Sequence, residues 1–407
     1  MSCLLNGLLR KKDALKSSKP KLSPKQKEKV TKNSADLAEK FKPRIISWNT
    51  TFKCNLRCSH CYLNAQEKAS RKELTTKEGK DLIDQIAQIA KPILVLSGGE
   101  PLLRKDIFEL SRHATDKGFR VALGSNGTLI DDGTAKELLT VGVRKVAISI
   151  DSSYPAIHNE LRGVQNAWAR AIEGVKACIR SGIDVQVNTT VTQQNYEDID
   201  NIISMAQGFG VRDFHVFFLV PTGRGKKIED ISPAMYESMV RRLLKKYAGE
   251  SLVVKPTCAP QFMRIARQMG VDTSRWSRGC IAGLSYCRIY PSGEVTPCPY
   301  LPIALGNVRE TPFKEIWSKS EILEKMRDFD NLKRKCRACD YREVCGGCRA
   351  RAYGLSSSFI DVCGGLHEPQ TLAGDLFAEE PWCVYQPPSL PPDNNLNAKS
   401  TQRSEIE

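Results

Sequence analysis

Three cysteines within eight residues, Cys54-Asn-Leu-Arg-Cys58-Ser-His-Cys61, carry the strongest chemical signal in the chain. Soft thiolates suit zinc or iron–sulfur clusters. Three thiolates do not complete a tetrahedral zinc site, and no further ligand follows at zinc-finger spacing. A [4Fe–4S] cluster held by three cysteines instead keeps one iron open, as catalytic metal sites do. The alternative is a zinc ion completed by His60 or a distant residue. A second signal is Ser97-Gly98-Gly99-Glu100-Pro101. Its glycines let backbone approach a ligand closely, and Glu100 offers an acceptor for an ammonium group.

Ten more cysteines fall between residues 258 and 383, and only Cys3 and Cys178 stand apart. Cys280 is followed by Gly293 and Cys298, then by Cys336-x2-Cys339-x5-Cys345-x2-Cys348 and finally Cys383. Taken alone, the four-cysteine run reads equally well as a zinc ribbon. Clustered thiols in a chain without a signal-peptide layout point to metal ligands in a reducing, cytoplasmic setting rather than to disulfides.

The elements that must position these residues follow from periodicity. Short apolar runs at 45–50, 93–97, 120–124, 145–150, 184–191 and 213–220 predict strands. Amphipathic stretches around 77–89, 107–117, 131–140, 166–181 and 198–208 predict helices between them. Thr75-Thr76-Lys77-Glu78 opens the first helix with a capping-box pattern. Six strands alternating with helices imply an α/β fold, a partial (β/α)6 barrel with its chemistry at the C-terminal ends of the strands. A helix over about 233–248 then leads into a small Cys-rich domain. The expected divisions are a basic, disordered arm at 1–41, a core at 42–232, the Cys-rich domain at 233–386 and a disordered tail at 387–407.

With 41% hydrophobic and 26% charged residues, the composition is that of a globular protein rather than a disordered or membrane one. No apolar run approaches the roughly 18 residues of a spanning helix. The net charge of +15 is uneven: residues 1–45 hold +9 of it. That arm reads as a solvated tail or as a partner-binding segment, and a nucleic-acid role for the body is disfavoured.

The Cys54, Cys58, Cys61 pattern with Gly98-Gly99-Glu100 one strand–helix unit later resembles the radical SAM superfamily. The resemblance implies that the three thiolates hold a [4Fe–4S] cluster that cleaves S-adenosylmethionine to a 5′-deoxyadenosyl radical. It places His60 near adenine, the Gly98–Pro101 segment on the methionine amino group, and Ser125, Asn126, Ser149 and Arg162 around the rest of the ligand. The C-terminal cysteines resemble the SPASM extension, which holds one or two auxiliary clusters. By that resemblance one cluster uses Cys280, Cys287, Cys298 and Cys348. The other uses Cys336, Cys339 and Cys345, with Cys383 favoured over Cys363 as the fourth ligand.

Over residues 43–386, segments such as Phe218–Gly225, Lys255–Arg264, Cys345–Tyr353 and Ala378–Cys383 resemble the branch acting on modified tetrapyrroles. The reaction implied is removal of acetate side chains from 12,18-didecarboxysiroheme, giving Fe-coproporphyrin III. Heme d1 propionate removal, coproheme decarboxylation and SPASM peptide maturation are the alternatives within the superfamily. A non-catalytic metal scaffold is the alternative outside it. A low-potential donor of the ferredoxin or flavodoxin kind is implied. Arg224, Lys226, Lys227, Lys255 and Arg264 are candidate carboxylate clamps. His215 is a candidate ligand to a tetrapyrrole iron, and Cys258, outside the cluster pattern, is a candidate catalytic thiol.

Overall fold

Burial along most of the parallel strands alternates with the period of two expected when one face meets helices and the other lines a lumen. In β1 (Ile45–Asn49), Ile46 and Trp48 are fully buried. In β2 (Ile93–Ser97), Leu94 and Leu96 are buried in the same way. The computed structural model describes residues 40–356 and 374–388. The basic arm up to residue 39, Cys3, Cys363 and the tail from residue 389 lie outside the described residues.

Further strands are β3 (Arg120–Ser125), β4 (Lys145–Ser149), β5 (Asp184–Val191), β6 (Asp213–Phe218) and β7 (Val253–Thr257). After them come β8 (Tyr286–Ile289), β9 (Glu294–Thr296) and β10 (Gly306–Asn307). The sheet runs β10-β9-β8-β1-β2-β3-β4-β5-β6-β7. Pairs from β8 through β1 to β7 are parallel, and the β8–β9 and β9–β10 pairs are antiparallel. The α/β, barrel-like expectation stands, but the parallel sheet is wider than six strands. β7 carries Pro256 and sits at an edge, where a missing donor is tolerated. β8 is four residues long inside the Cys-rich stretch, too short to announce itself by periodicity. The sheet therefore runs past the division expected at residue 232.

The helices match their amphipathic stretches: α1 (Thr76–Ala87), α2 (Ile107–Asp116), α3 (Asp132–Thr140), α4 (Pro155–Arg162), α5 (Ala167–Arg180), α6 (Ile199–Gly208) and α7 (Pro233–Tyr247). The short α4 was not among those expected. Beyond α7 lie α8 (Phe262–Met269), α9 (Phe313–Lys319), α10 (Glu321–Arg327), α11 (Arg334–Ala338) and α12 (Arg349–Ser356). α1 packs tightly on the sheet. A Cβ at Gly79 would stand 2.7 Å from the Trp48 ring, so only glycine lets the helix sit there.

Candidate functional site

The loop after β1 carries Cys54, Cys58 and Cys61, and three neighbouring segments hold it. The β2 end lies directly on it: Gly99 N–H donates to Thr51 O (2.7 Å) and Glu100 N–H to Lys53 O (2.8 Å). A Cβ at Gly98 or Gly99 would fall 2.7 Å from Thr51 O or 2.2 Å from Lys53 O. The two glycines thus let the β2 end pack backbone-on-backbone against the cysteine loop. From the far side, Arg57 and Ser59 N–H groups donate to the carbonyls of Arg162 and Leu161 at the end of α4. From the loop after β6, Arg224 donates to Cys58 O (2.8 Å) and Ala65 O (2.9 Å). Arg224, a candidate carboxylate clamp, therefore braces the cysteine loop through two of its nitrogens.

Glu100 is fully buried. Its carboxylate accepts from Ser125 Oγ (2.9 Å), Asn126 N–H (2.8 Å) and Leu102 N–H (3.2 Å). Burial pushes its pKa up to about 7 against those hydrogen bonds, and no cation among the described residues is set against it. An arriving ammonium would supply the missing charge. Asn126 also reaches Asn55 Oδ1 (2.9 Å) and Cys54 Sγ (3.9 Å), so β3 is tied to the cysteine loop.

On the opposite side, Asp151 is fully buried, with Oδ2 2.7 Å from Arg162 and 3.4 Å from His60 Nε2. Arg162 also points at Cys58 Sγ (3.6 Å). Burial, reinforced by the cations Arg162 and Arg224 against the attraction of Asp151, holds the His60 pKa down at about 4, so its ring is neutral at physiological pH. His60 Nδ1 and Arg162 Nε are buried without hydrogen-bond partners. Ser149 lies at the end of β4, two residues from Asp151. Asp151 itself was missed as a site residue. Its signal was present, because an acid directly after a parallel strand lies where the chemistry of such sheets gathers.

The thirteen cysteines among the described residues are all free thiols. Burial raises Cys54 to about 12 and Cys58 in the same direction, against the pull of Arg162 on the latter. Thiols this buried ionise only with a metal cation beside them, so the donor set fits a metal-bound role. Among the described residues no group of three or more His, Cys, Asp or Glu side chains stands close enough together to hold a single metal ion. In the C-terminal part, Cys336, Cys339, Cys345 and Cys383 line one pocket with Arg264 and Glu380. Cys280 acts electrostatically on both Cys298 and Cys348, and Cys348 on Cys298, whereas Cys287 is acted on by Arg327.

The comparisons match this division. Residues 48–206 match the model of the radical SAM superfamily, and residues 280–340 that of an iron–sulfur cluster-binding domain, SPASM. An AdoMet-dependent heme synthase of Methanosarcina barkeri is 40% identical over 356 residues, spanning 85% of this chain and 97% of that protein. The chain belongs to the radical SAM superfamily. Within it, an Fe-coproporphyrin III synthase of the same organism is 31% identical over 365 residues, spanning 84% and 88% of the two chains. The expected place in the tetrapyrrole-modifying branch stands. The crystal structure of Streptococcus suis SuiB bound to S-adenosylmethionine has the same fold, with a TM-score of 0.64 at 19% identity, covering 81% of this chain and 80% of that one.

As a radical SAM enzyme with a SPASM domain, the protein uses a [4Fe–4S] cluster, S-adenosylmethionine and auxiliary iron–sulfur chemistry. No helix among the described residues is long and apolar enough to cross a membrane.

The barrel lumen is polar. His215 on β6 and Lys255 on β7 are register partners, and Thr257 Oγ1 lies 3.4 Å from His215 Nδ1. Burial, helped by the charges of Lys255 and Lys145, lowers His215 to about 3 and leaves a neutral imidazole. Burial lowers Lys255 as well. Lys226 and Lys227 are exposed. Arg264 is buried and paired with Glu237 (2.5 Å), so it too is engaged within the protein.

Proposed function

We propose that this enzyme acts on an iron tetrapyrrole late in heme formation, with Fe-coproporphyrin III as substrate and heme as product. The observation that carries the reading is the 40% identity to a heme synthase along nearly the whole of both chains. Each propionate that becomes a vinyl group loses one hydrogen atom, one electron and carbon dioxide, and acid–base groups alone do not break its unactivated C–H bond. The bound cluster and S-adenosylmethionine would supply the 5′-deoxyadenosyl radical that takes the hydrogen.

Cys54, Cys58 and Cys61 would hold that cluster. Glu100 would take the amino group of S-adenosylmethionine, with Gly98, Gly99 and Pro101 shaping its turn and Ser125 and Asn126 fixing its carboxylate. Arg162 Nε would offer a further donor and the lone pair of His60 Nδ1 a further acceptor, beside Ser149. In the lumen, Lys255 would meet a propionate, and the neutral His215 would have a lone pair for the tetrapyrrole iron. A reductant of the ferredoxin or flavodoxin kind and a cytoplasmic setting agree with thirteen free thiols.

Acetate removal from 12,18-didecarboxysiroheme is the second reading. It is favoured by the Lys255–Phe262 segment and by the relative named Fe-coproporphyrin III synthase. Anaerobic turnover with S-adenosylmethionine, a strong reductant and each tetrapyrrole in turn, followed by mass spectrometry, separates the two. Stepwise loss of two carbon dioxide units from Fe-coproporphyrin III supports the first reading. Loss of two carboxymethyl groups from 12,18-didecarboxysiroheme, with Fe-coproporphyrin III unchanged, replaces it with the second.

A further inference from the structure

Four cysteines were expected around the first auxiliary cluster, and one of them lies on the wrong side of a strand. β8 alternates faces. Tyr286 OH donates to Ser47 Oγ (3.0 Å) and Arg288 Nη1 to Asn49 Oδ1 (2.9 Å), which puts Tyr286 and Arg288 on the lumen side of the β1–β8 pair. Cys287 and Ile289 must then point the other way, with Ile46 and Trp48, into the layer packed by α1 and α2. Cys287 is completely buried there. The charge acting on it is Arg327, which is anchored to Gly283 O (3.0 Å) and stacked 4.8 Å from the Trp317 ring centre.

Cys258 occupies the opposite situation. It follows β7 directly, and its backbone is left-handed at φ 58°, a conformation a cysteine adopts only when its surroundings hold it there. The surroundings are the other cysteine segments. Gly279, next to Cys280, passes so close to the loop that a Cβ would stand 2.3 Å from Pro260 O. Gly279 N–H in turn donates to Val344 O (2.7 Å), just ahead of the Cys345–Cys348 turn. Arg351 joins the remaining two: its side chain donates to Cys258 O (3.4 Å) and its own N–H to Cys348 Sγ (3.4 Å). Cys258 feels Cys348, Cys298 and Cys280 as its charged neighbours, and Cys298 feels Cys348 and Cys280.

We propose that Cys258, and not Cys287, completes the first auxiliary iron–sulfur site together with Cys280, Cys298 and Cys348. The proposal rests on the SPASM reading of the C-terminal part. It removes Cys258 from the candidate catalytic thiols, since a thiolate held by iron has no S–H hydrogen to donate. It also fastens the end of β7, one residue from the lumen-facing Thr257, to the C-terminal domain through metal. An electron leaving the substrate would then have an acceptor at the lumen wall.

The test uses the full chain carrying Cys58→Ala, so that bound iron reports the C-terminal sites. Cys258→Ala, Cys287→Ala and Cys280→Ala are each added to it. Iron and acid-labile sulfide are measured after anaerobic reconstitution. Cys258→Ala and Cys280→Ala should each lose about half of the auxiliary iron, and Cys287→Ala should lose none. Iron kept with Cys258→Ala but lost with Cys280→Ala and Cys287→Ala overturns the proposal alone. Iron kept in all three overturns the SPASM reading beneath it. Should Cys258→Ala fail to fold, Cys258→Ser, of nearly the same size, is read by electron paramagnetic resonance of the reduced auxiliary clusters. An altered signal supports the ligand role, and an unchanged one overturns it.

Discussion

Beside Cys54, Cys58 and Cys61 the buried carboxyl of Glu100 has no cation against it among the described residues, whereas beside the C-terminal cysteines the buried carboxylate of Glu380 is paired with a guanidinium. Buried nitrogens without hydrogen-bond partners among the described residues occur in both regions, at His60 and Arg162 in the first and at Arg264, Arg349 and Arg351 in the second. In the C-terminal part, Arg351 and Glu380 are both fully buried and lie 3.0 Å apart, and Arg264 is matched by Glu237. The first region has three thiols and an uncompensated buried carboxyl, which is the form of a site that receives a ligand. The second has cysteines in fours among neutralised charges, which is the form of a closed metal site. A buried carboxyl without a counter-charge is costly to ionise, so Glu100 marks where a cationic ligand group would complete the first region.

That contrast is broken most severely by removing one thiol from the open site. Cys58→Ala should abolish reductive cleavage of S-adenosylmethionine while leaving iron in the C-terminal part. Chromatographic assay of 5′-deoxyadenosine beside iron analysis checks both halves, and cleavage persisting in the variant would overturn the site assignment.

The closed region should instead answer in stability. Glu380 accepts from Arg351 and from Gln261, so Glu380→Ala leaves a buried guanidinium without its counter-charge. Breaking a buried pair this way costs about 3–5 kcal/mol, and replacing both partners by apolar residues costs much less. Denaturant unfolding of Glu380→Ala and of the double variant Glu380→Leu with Arg351→Met measures the difference. Equal losses would show that the pair matters for its contacts to Leu219 O and Cys258 O rather than for its charge.

Glu100 sharpens the comparison through pH. Its folded pKa of about 7 lies above the ordinary 4.5. The carboxyl's contribution to stability is therefore complete below about 4.5 and is lost as pH rises through 7. Ligand binding runs the opposite way, because only the carboxylate attracts an ammonium. Affinity for S-adenosylmethionine should be level above pH 7 and weaken about tenfold per unit below it. Glu100→Gln should bind weakly with no such slope. Calorimetric titration across pH 5.5–8.5 reads both, and a slope surviving in Glu100→Gln would assign it to another group.

How much of this the sequence announces differs between the same two regions. Strands β1 to β6 and the helices between them, α4 excepted, follow their periodicity to within a residue or two, because each buries one face in a continuous core. Cys54, Cys58, Cys61 and Glu100 are legible because close spacing in sequence puts them on loops at the ends of neighbouring strands. The C-terminal sites draw instead on residues far apart in sequence, and a one-residue change of strand register moves a side chain to the other face. Cys287 has the right residue type at nearly the right spacing and still points into the core. Arg224 and Arg264 look like free cations in sequence, and only the fold shows Arg224 bound to two carbonyls and Arg264 to Glu237.

The smallest expected effect lies where the two regions meet. Thr75 caps α1, its Oγ1 accepting from Glu78 N–H (3.3 Å) while Glu78 Oε2 accepts from Thr75 N–H (2.8 Å). Glu78 also takes two hydrogen bonds from Arg309, just past β10, and with the capping bonds these hold its pKa down at about 2. The same guanidinium reaches the carbonyls of Lys72 and Ser292, so the cap lies within a polar bridge from α1 to the C-terminal hairpin. Thr75→Ala removes the capping bond that Oγ1 accepts and the bond it donates to Glu78 Oε2 (2.9 Å), and leaves the Arg309 bridge intact, so its cost should be that of an ordinary N-cap, about 1 kcal/mol. Auxiliary iron should be unchanged, because the cysteine groups are anchored by β7, β8 and α12 rather than by α1. Thermal unfolding with iron analysis tests both statements. Iron lost together with the cap would mean that the C-terminal sites depend on the barrel's helical layer as well as on the strands beside them.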